Sequence, residues 1–248
     1  MKIACIIPAR LGSKRFPRKV LATFGAKPLL AWVWEAAQRC SQFDEVTFAI
    51  DAPETAELIA SFGGRFFFTN TDCLSGTDRL VELKQRRAIT ADVWVNWQAD
   101  EPFIRPAMIG DLLQTVAEKE YDVWSLRKAV TAAADVTNPN VVKVVTNKKG
   151  KALYFSRSPI PYARGNTTFS GCYFKHIGLY AFTAQALDRL SELSPSPLEQ
   201  LEQLEQLRFL ENGLSMQLHT TSHETVAIDR PEDLIQASIL ALGAHKSC

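Results

Sequence analysis

Several things that would settle the class of this chain at once are missing from it. No apolar stretch reaches the length of a membrane span, so membrane insertion is not expected. Neither sign of charge dominates. There are 28 Lys and Arg against 27 Asp and Glu, a formal net charge of +1, whereas a general polyanion binder shows a strong basic excess. No acidic or basic tail occurs, and only 22% of residues are charged against 46% hydrophobic, which argues against disorder. Cysteines are few, scattered and odd in number (Cys5, Cys40, Cys73, Cys172, Cys248), with no CxxC pair. Neither a disulfide framework nor a zinc site is indicated, and a reducing compartment is the simpler reading. The chain opens on a strand pattern, Lys2-Ile3-Ala4-Cys5-Ile6-Ile7, too short for a signal-peptide core, so a cytoplasmic location is expected. No GxxxxGK[ST] occurs, which removes a Walker loop, and no GxGxxG, which removes the main support for a dinucleotide site.

What is present is alternation. Apolar runs of strand length stand at residues 3–7, 46–50, 65–68, 93–97, 123–126, 141–145, 177–182 and 225–228. Helical patterns lie between the early ones, at residues 28–40 and 54–62, the latter stopped by Gly63-Gly64. Continuous apolar strands separated by helices predict an α/β fold with a mainly parallel, twisted, Rossmann-like sheet flanked by helices. At 248 residues the expectation is one α/β domain over residues 1–248, with a first half of about 1–110. From about residue 148 to 178, Tyr154, Phe155, Pro159, Pro161, Tyr162, Phe169, Tyr173 and Phe174 crowd a stretch with little helical period, read as an arm outside the main sheet. A further helix is expected from Ser196-Pro197-Leu198-Glu199, a capping box with proline in the first turn, to about Gly213. Its Leu-Glu-Gln repeats run at period three, which speaks against a coiled coil.

In a parallel sheet, ligands bind beyond the strand C-terminal ends where strand order reverses, which directs attention to the segment after each strand. From Met1 to Trp34 there is no carboxylate, yet there are seven Lys or Arg, five of them in the ten residues Arg10–Lys19. Cations without counter-charges on a loop leaving a strand suit a triphosphate, and Gly12 and Ser13 let backbone N–H groups approach its oxygens. A solvated basic turn or a nucleic-acid patch would explain the charge equally well.

Two carboxylate segments complete the pattern. Residues 93–97 run into Gln98-Ala99-Asp100-Glu101-Pro102, and residues 226–228 run into Asp229-Arg230-Pro231-Glu232-Asp233. Magnesium is held by one or two carboxylates plus phosphate oxygens and water, so Asp100 and Asp229 are candidate metal ligands. The plainer alternatives are a turn for Asp100 and a helix cap for Asp229, the latter favoured about two to one on the residues alone. Glu101, Glu232 and Asp233 read as turn or first-turn residues.

The ordering PxRxGSxRxPxK in the first loop resembles the entry loop of the nucleotide-sugar pyrophosphorylase superfamily, in particular of enzymes that attach CMP to acidic sugars. Gln98-Ala99-Asp100-Glu101-Pro102 resembles the QGDEP segment of 3-deoxy-manno-octulosonate (Kdo) cytidylyltransferases, and Asp229 matches that family's DTPEDL segment. Ser75-Gly76-Thr77-Asp78-Arg79, residues 138–143, Tyr154-Phe155-Ser156-Arg157, residues 176–180 and residues 204–208 also match in order and spacing. The resemblance implies a nucleotide-diphospho-sugar transferase fold and an enzyme making CMP-Kdo and pyrophosphate from CTP and Kdo, for lipopolysaccharide synthesis. Pro8, Arg10, Ser13, Arg15 and Lys19, with Ser75, Gly76 and Gln98, would hold CTP. Asp100, Lys19, Arg10 and Asp229 would be catalytic, with Mg2+ on Asp100 and Asp229. The resemblance also implies a sugar-binding and dimer arm over about 120–215. There, Arg157 would grip the Kdo carboxylate and His176, Glu205 and Gln206 its hydroxyls, with Tyr180 as an amphipathic wall; a structural role for His176 and a solvated helix face for Glu205 and Gln206 are the plainer readings. A homodimer is implied, with no nucleic-acid partner. Alternatives are CMP transfer to sialic acid or to 8-amino-Kdo, whose enzymes resemble GDQP where this chain has Glu101. From another class comes a non-catalytic nucleotide or RNA binder. Two departures stand out: Ala99 and Arg18 each replace a family glycine, and at positive φ the latter would cost about 1 kcal/mol.

Overall fold

A computed structural model of the chain describes residues 1–13, 15–164 and 171–244. Lys14, Phe169 and Cys248 fall outside the described residues. The chain forms two compact units, the first made of Met1–Ile109 with Glu224–Cys248 and the second of Gly110–His223.

In the first unit the strands are β1 (Ile3–Ala9), the short hairpin β2 (Thr23–Phe24) and β3 (Lys27–Pro28), β4 (Glu45–Ile50), β5 (Phe66–Phe68) and β6 (Val93–Asn96). The helices between them are α1 (Leu29–Gln38), α2 (Pro53–Ser61) and α3 (Gly76–Gln85), and α4 (Pro106–Leu112) carries the chain across the division. β1 pairs in parallel with β4 on one side and with β6 on the other, and β4 pairs in parallel with β5. Every residue of β1 and of β6 is buried, which is why these strands read as unbroken apolar runs instead of alternating ones. The order β6-β1-β4-β5 reverses direction of travel at β1, so the ligand crevice belongs beyond the C-terminal ends of β1 and β6. The expected α/β architecture, mainly parallel with helices as connections, is present.

Local signals act as read. α2 stops where Gly63 takes a φ of 75° and the Gly64 N–H returns to the Ile59 carbonyl at 3.0 Å. Residues 225–228 depart from expectation and form no strand. Their neighbour is the turn at residues 98–101, which offers no strand edge. A single backbone bond forms, from the Ile228 N–H to the Asp100 carbonyl at 2.8 Å. The last helix of this unit, α9 (Asp233–Ala244), follows.

In the second unit, β7 (Val123–Ala129) pairs in parallel with β11 (Met216–Thr220) and antiparallel with β10 (Phe174–Thr183). β8 (Lys143–Thr146) pairs antiparallel with β10 and with β9 (Ala152–Ser156). The helices are α5 (Ala133–Thr137), α6 (Ala184–Ser191), α7 (Pro197–Glu202) and α8 (Glu205–Glu211). The aromatic stretch expected outside a sheet instead carries β9 and the start of β10. Strand alternation there was masked by Pro159, Pro161 and Tyr162, which follow β9 in the sequence. The helix expected from Ser196 to about Gly213 is broken in two: the capping box forms, but Gln203 turns left-handed (φ 54°) between α7 and α8. Among the described residues, no helix is long and apolar enough to cross a membrane.

Candidate functional site

The first unit has a cleft of about 380 Å³ lined by Pro8, Arg10, Ser13, Arg15, Lys19, Val20, Gln98, Ala99, Asp100 and Asp229. It lies where β1 and β6 end, so the crevice rule and the cationic loop point to one place. The loop is anchored at its start by the Leu11 N–H on the Asp51 carboxylate, 2.9 Å away. Asp51 also pairs with the buried Arg79 guanidinium at 2.8 Å, fixing the loop to α3. Arg18 then takes φ 57°, ψ 27°, the left-handed region, and Lys19 opens a one-turn 3-10 segment. Arg18 thus takes a conformation that glycine would adopt without strain. Ala99 is buried in the cleft wall and does not share that conformation.

The loop and the two carboxylate segments meet in ion pairs. Lys19 Nζ lies 2.6 Å from Asp100 Oδ2 and 3.2 Å from Asp229 Oδ1, and Arg15 Nη2 lies 3.1 Å from the same Asp229 oxygen. Arg10 is exposed at the mouth, with no ion pair to another described residue. The two-to-one preference for Asp229 as a cap is overturned: its carboxylate faces cations, and Asp233 Oδ2 does the capping by accepting the N–H groups of Asp229 and Arg230, both at 2.8 Å. Capping residues were legible in the segment; which carboxylate would turn inward was not.

Glu101, read as a turn residue, has a larger part. Its carboxylate accepts a hydrogen bond from the Thr225 hydroxyl, which ties the returning segment to the turn that carries Asp100. Burial of the carboxyl, then the neighbouring Asp100 charge, pushes its pKa up to about 8. Nothing in the sequence marked Thr225, because the pairing spans 124 positions.

Beside the cleft, Gln98 is oriented by its amide donating to Asn96 Oδ1 at 2.9 Å. Gly76 opens α3 so near that a Cβ there would stand 3.1 Å from Pro8 and 3.2 Å from the Gln98 amide nitrogen. A side chain there would require Pro8 or the Gln98 amide to yield by a few tenths of an ångström. Ser75 caps α3, its hydroxyl accepting from the Asp78 N–H while Asp78 returns the bond to the Ser75 N–H. The Ser75–Arg79 segment is therefore a cap and first helical turn.

Two carboxylates converging on one ammonium are a test of whether a metal would fit. Their donors are hard oxygens, and among the described residues no group of three or more His, Cys, Asp or Glu forms a complete cage. A pair of carboxylates in an open cleft suits magnesium, which takes its remaining ligands from phosphate and water.

The second unit gathers the other candidates. His176, Tyr180 and Gln206 are connected: Tyr180 Oη donates to Gln206 Oε1 at 3.4 Å, and Gln206 Nε2 stands 3.4 Å from His176 Nδ1. His176 Nε2 lies 2.9 Å from Ser125 Oγ, and that hydroxyl reaches the Leu179 carbonyl at 2.9 Å. The consistent proton assignment places the hydrogen on His176 Nε2, leaving Nδ1 to accept from Gln206. Burial lowers the His176 pKa to about 3 and raises that of Tyr180, so both are neutral. Phe155 covers the imidazole edge-on at 4.9 Å. Ser125, fully buried, was missed by sequence reading; a lone serine in an apolar strand gives no signal until the bulge between Ile177 and Tyr180 is known.

Arg157 is less free than expected. Nε donates to the Glu202 carbonyl, Nη1 to that of Pro139 and Nη2 to that of Gln203, at 2.8, 2.9 and 3.2 Å. Three of its five N–H groups are thus committed to backbone, and a bidentate grip on a carboxylate would need the other two. Glu205 pairs with Arg208 at 3.2 Å, an ordinary helix-face contact.

Residues 4–220 match the family model described as Cytidylyltransferase. The 3-deoxy-manno-octulosonate cytidylyltransferase of Acidobacterium capsulatum is 44% identical over 247 residues, 99% of each chain. That of Geobacter metallireducens is 42% identical, covering 94% of this chain and 95% of its own. A solved CMP:2-keto-3-deoxy-manno-octonic acid synthetase, complexed with CTP, superposes with a TM-score of 0.92 at 38% identity, over 98% of this chain and 100% of the other. An inositol-1-phosphate CTP transferase from T. maritima shares the fold alone, at 13% identity, a TM-score of 0.64 and coverage of 94% and 91%.

Proposed function

The chain belongs to the 3-deoxy-manno-octulosonate cytidylyltransferases, and from that premise we propose that it joins Kdo to the CMP part of CTP in a magnesium-dependent reaction. The observation that carries the reading is the convergence of Asp100 and Asp229 on one cation in the same cleft as Arg10, Ser13 and Arg15.

In this reading the basic loop holds the triphosphate: Arg10, Arg15 and Lys19 bind the β- and γ-phosphates, with Ser13 beside them. Gln98, oriented by Asn96, and the Ser75–Gly76 turn take the cytosine and ribose. The sugar is the second unit's part, through Arg157, His176, Tyr180 and Gln206, with Glu205 at the edge. The anomeric hydroxyl of Kdo attacks the α-phosphorus in line. One phosphorus–oxygen bond forms as the bond to the bridging oxygen breaks, pyrophosphate departs, and the hydroxyl proton passes to water. Catalysis of this kind rests on positioning and on neutralising charge. Asp100 and Asp229 would hold magnesium, which supplies charge neutralisation and makes a bound hydroxyl more acidic. Arg10, Arg15 and Lys19 steady the leaving pyrophosphate. Glu101, where 8-amino-Kdo enzymes resemble GDQP, favours Kdo as the acceptor. A homodimer and a cytoplasmic place in lipopolysaccharide synthesis belong to the same reading.

Pyrophosphate release measured with CTP against other triphosphates, and with Kdo against 8-amino-Kdo and sialic acid, tests it. Turnover with CTP and Kdo well above every other pair is expected. Salt-dependent RNA binding without pyrophosphate release would replace the reading with that of a binding protein.

A further inference from the structure

The first unit's cleft already holds a cation where the proposed function needs a metal. Lys19 Nζ touches both aspartates, at 2.6 and 3.2 Å, and Arg15 adds a second positive charge to Asp229 at 3.1 Å. Two carboxylates and two cations balance with nothing taken from solution. A divalent ion added alone would leave two charges in excess and would meet oxygens already paired with ammonium. The Lys19 side chain is 13% exposed and that of Asp100 25%, so solvent and salt screen this pairing less than an open surface pair.

The backbone permits an exchange of partners. The Lys19 N–H is bonded to the Phe16 carbonyl at 3.1 Å, and the Lys19 carbonyl accepts from the Ala22 N–H at 2.9 Å. With the turn fixed at both ends, rotation of the flexible four-carbon stem alone moves the ammonium.

We propose that Lys19 is the built-in counter-ion of Asp100 and Asp229, and that a triphosphate releases these carboxylates to a divalent cation by drawing the ammonium onto its own oxygens. The inference rests on reading the cleft as the triphosphate and metal site. It makes metal binding conditional on nucleotide. By linkage the metal tightens nucleotide binding by the same factor, a coupling of about 5- to 150-fold for typical two-site systems. Without nucleotide the cleft stays closed to metal; with nucleotide and no metal, Asp100 faces the phosphates unpaired and Asp229 keeps only Arg15.

Manganese, as a paramagnetic stand-in, tests this on the full chain without Kdo, so that no turnover intervenes. Bound Mn2+ is read by electron paramagnetic resonance, with a CTP-only control for metal held by free nucleotide. Wild type alone is expected to bind manganese at least about tenfold more weakly than wild type with CTP. Lys19→Met without CTP is expected to bind it about tenfold more tightly than wild type without CTP, and adding Asp229→Asn abolishes the gain. Lys19→Gln replaces Lys19→Met should the latter not fold by circular dichroism. If neither folded variant gains affinity, or wild type binds manganese equally with and without CTP, the exchange is wrong while the cleft keeps its function. If wild type with CTP holds manganese no differently from Asp100→Asn and Asp229→Asn, the metal reading falls, and this inference with it.

Discussion

The two units hold their candidate residues in opposite physical states. In the first unit, charged side chains lie partly exposed on loops and pair with one another at 2.6–3.2 Å. In the second, Ser125, His176, Gln206 and Tyr180 are kept neutral and linked in one direction of donation that ends on a backbone carbonyl. The contrast matches the groups each would bind. Phosphates carry charge, and ion pairs such as those of Lys19, Arg15, Asp100 and Asp229 would suit them by exchanging partners. Sugar hydroxyls need donors and acceptors already pointing the right way, and burial supplies that by forbidding charge.

The largest effect that would break this contrast is expected at Asp100. Asp100→Asn keeps size and shape but removes a charge facing Lys19 at 2.6 Å. Turnover should fall on the order of 10²–10³-fold, the scale for removing one group that stabilises transition-state charge, with thermal stability little changed. Steady-state pyrophosphate release measures it, and unaltered turnover would show that the charged cleft is ornament to the reaction.

The neutral unit should respond to pH and not to charge removal. His176 has its pKa lowered by burial to about 3, against about 6.5 in the unfolded chain. The imidazole is therefore uncharged in the folded protein throughout the range where the unfolded chain takes up a proton. The stability it leaves intact above pH 6.5 is lost as pH falls from there toward 3, roughly 2 kcal/mol of it by pH 5. His176→Gln should be less stable at pH 7 yet lose less between pH 7 and pH 5 than wild type, as read by urea unfolding at each pH. Equal slopes would mean that the imidazole is not held neutral and that the contrast between units is overdrawn.

A smaller effect is expected at the Thr225 hydroxyl. Thr225→Val keeps the branched shape and removes the hydrogen bond to Glu101, worth about 1 kcal/mol. Since that bond and the Ile228–Asp100 backbone bond together align Asp229 with Asp100, the metal concentration for half-maximal activity should rise severalfold while the KM for Kdo is unmoved. A change in the Kdo KM of the same size would assign Thr225 to stability alone.

How much of this was legible in the sequence divides along the same line. The central parallel strands of the first unit, β1 and β6, announced themselves as unbroken apolar runs because both faces are buried. The cationic loop did so because thirty-four residues without a carboxylate are hard to arrange by chance. β11 did not: its buried Gln217 and His219 alternate with apolar residues and resemble a solvated face. Asp229 read as a cap because the segment does contain a capping carboxylate, four residues further on at Asp233. Ser125, Thr225 and Asn96 gave no signal, since each acts through a partner distant in the chain. Periodicity reports what is buried; it does not report which polar group meets which.

Arg18 offers the smallest effect and the finest test of how the loop is built. Its φ of 57° places a side-chain-bearing residue in the left-handed region, at a penalty of about 1 kcal/mol relative to glycine. Its guanidinium pairs with Glu54 across an interface where both side chains are more than half exposed, so the pair returns at most a few tenths of a kcal/mol. Arg18→Gly should therefore gain slightly on balance, raising the melting temperature by about 1–3 °C, because the relief of strain exceeds the loss of the pair. The added freedom of glycine in the unfolded chain opposes that gain, and Arg18→Asn, which tolerates the left-handed region at less entropic penalty, should match or exceed it. A melting temperature that falls for both variants would mean that the Glu54 pair, and not the backbone preference of the turn, holds the loop that presents Lys19.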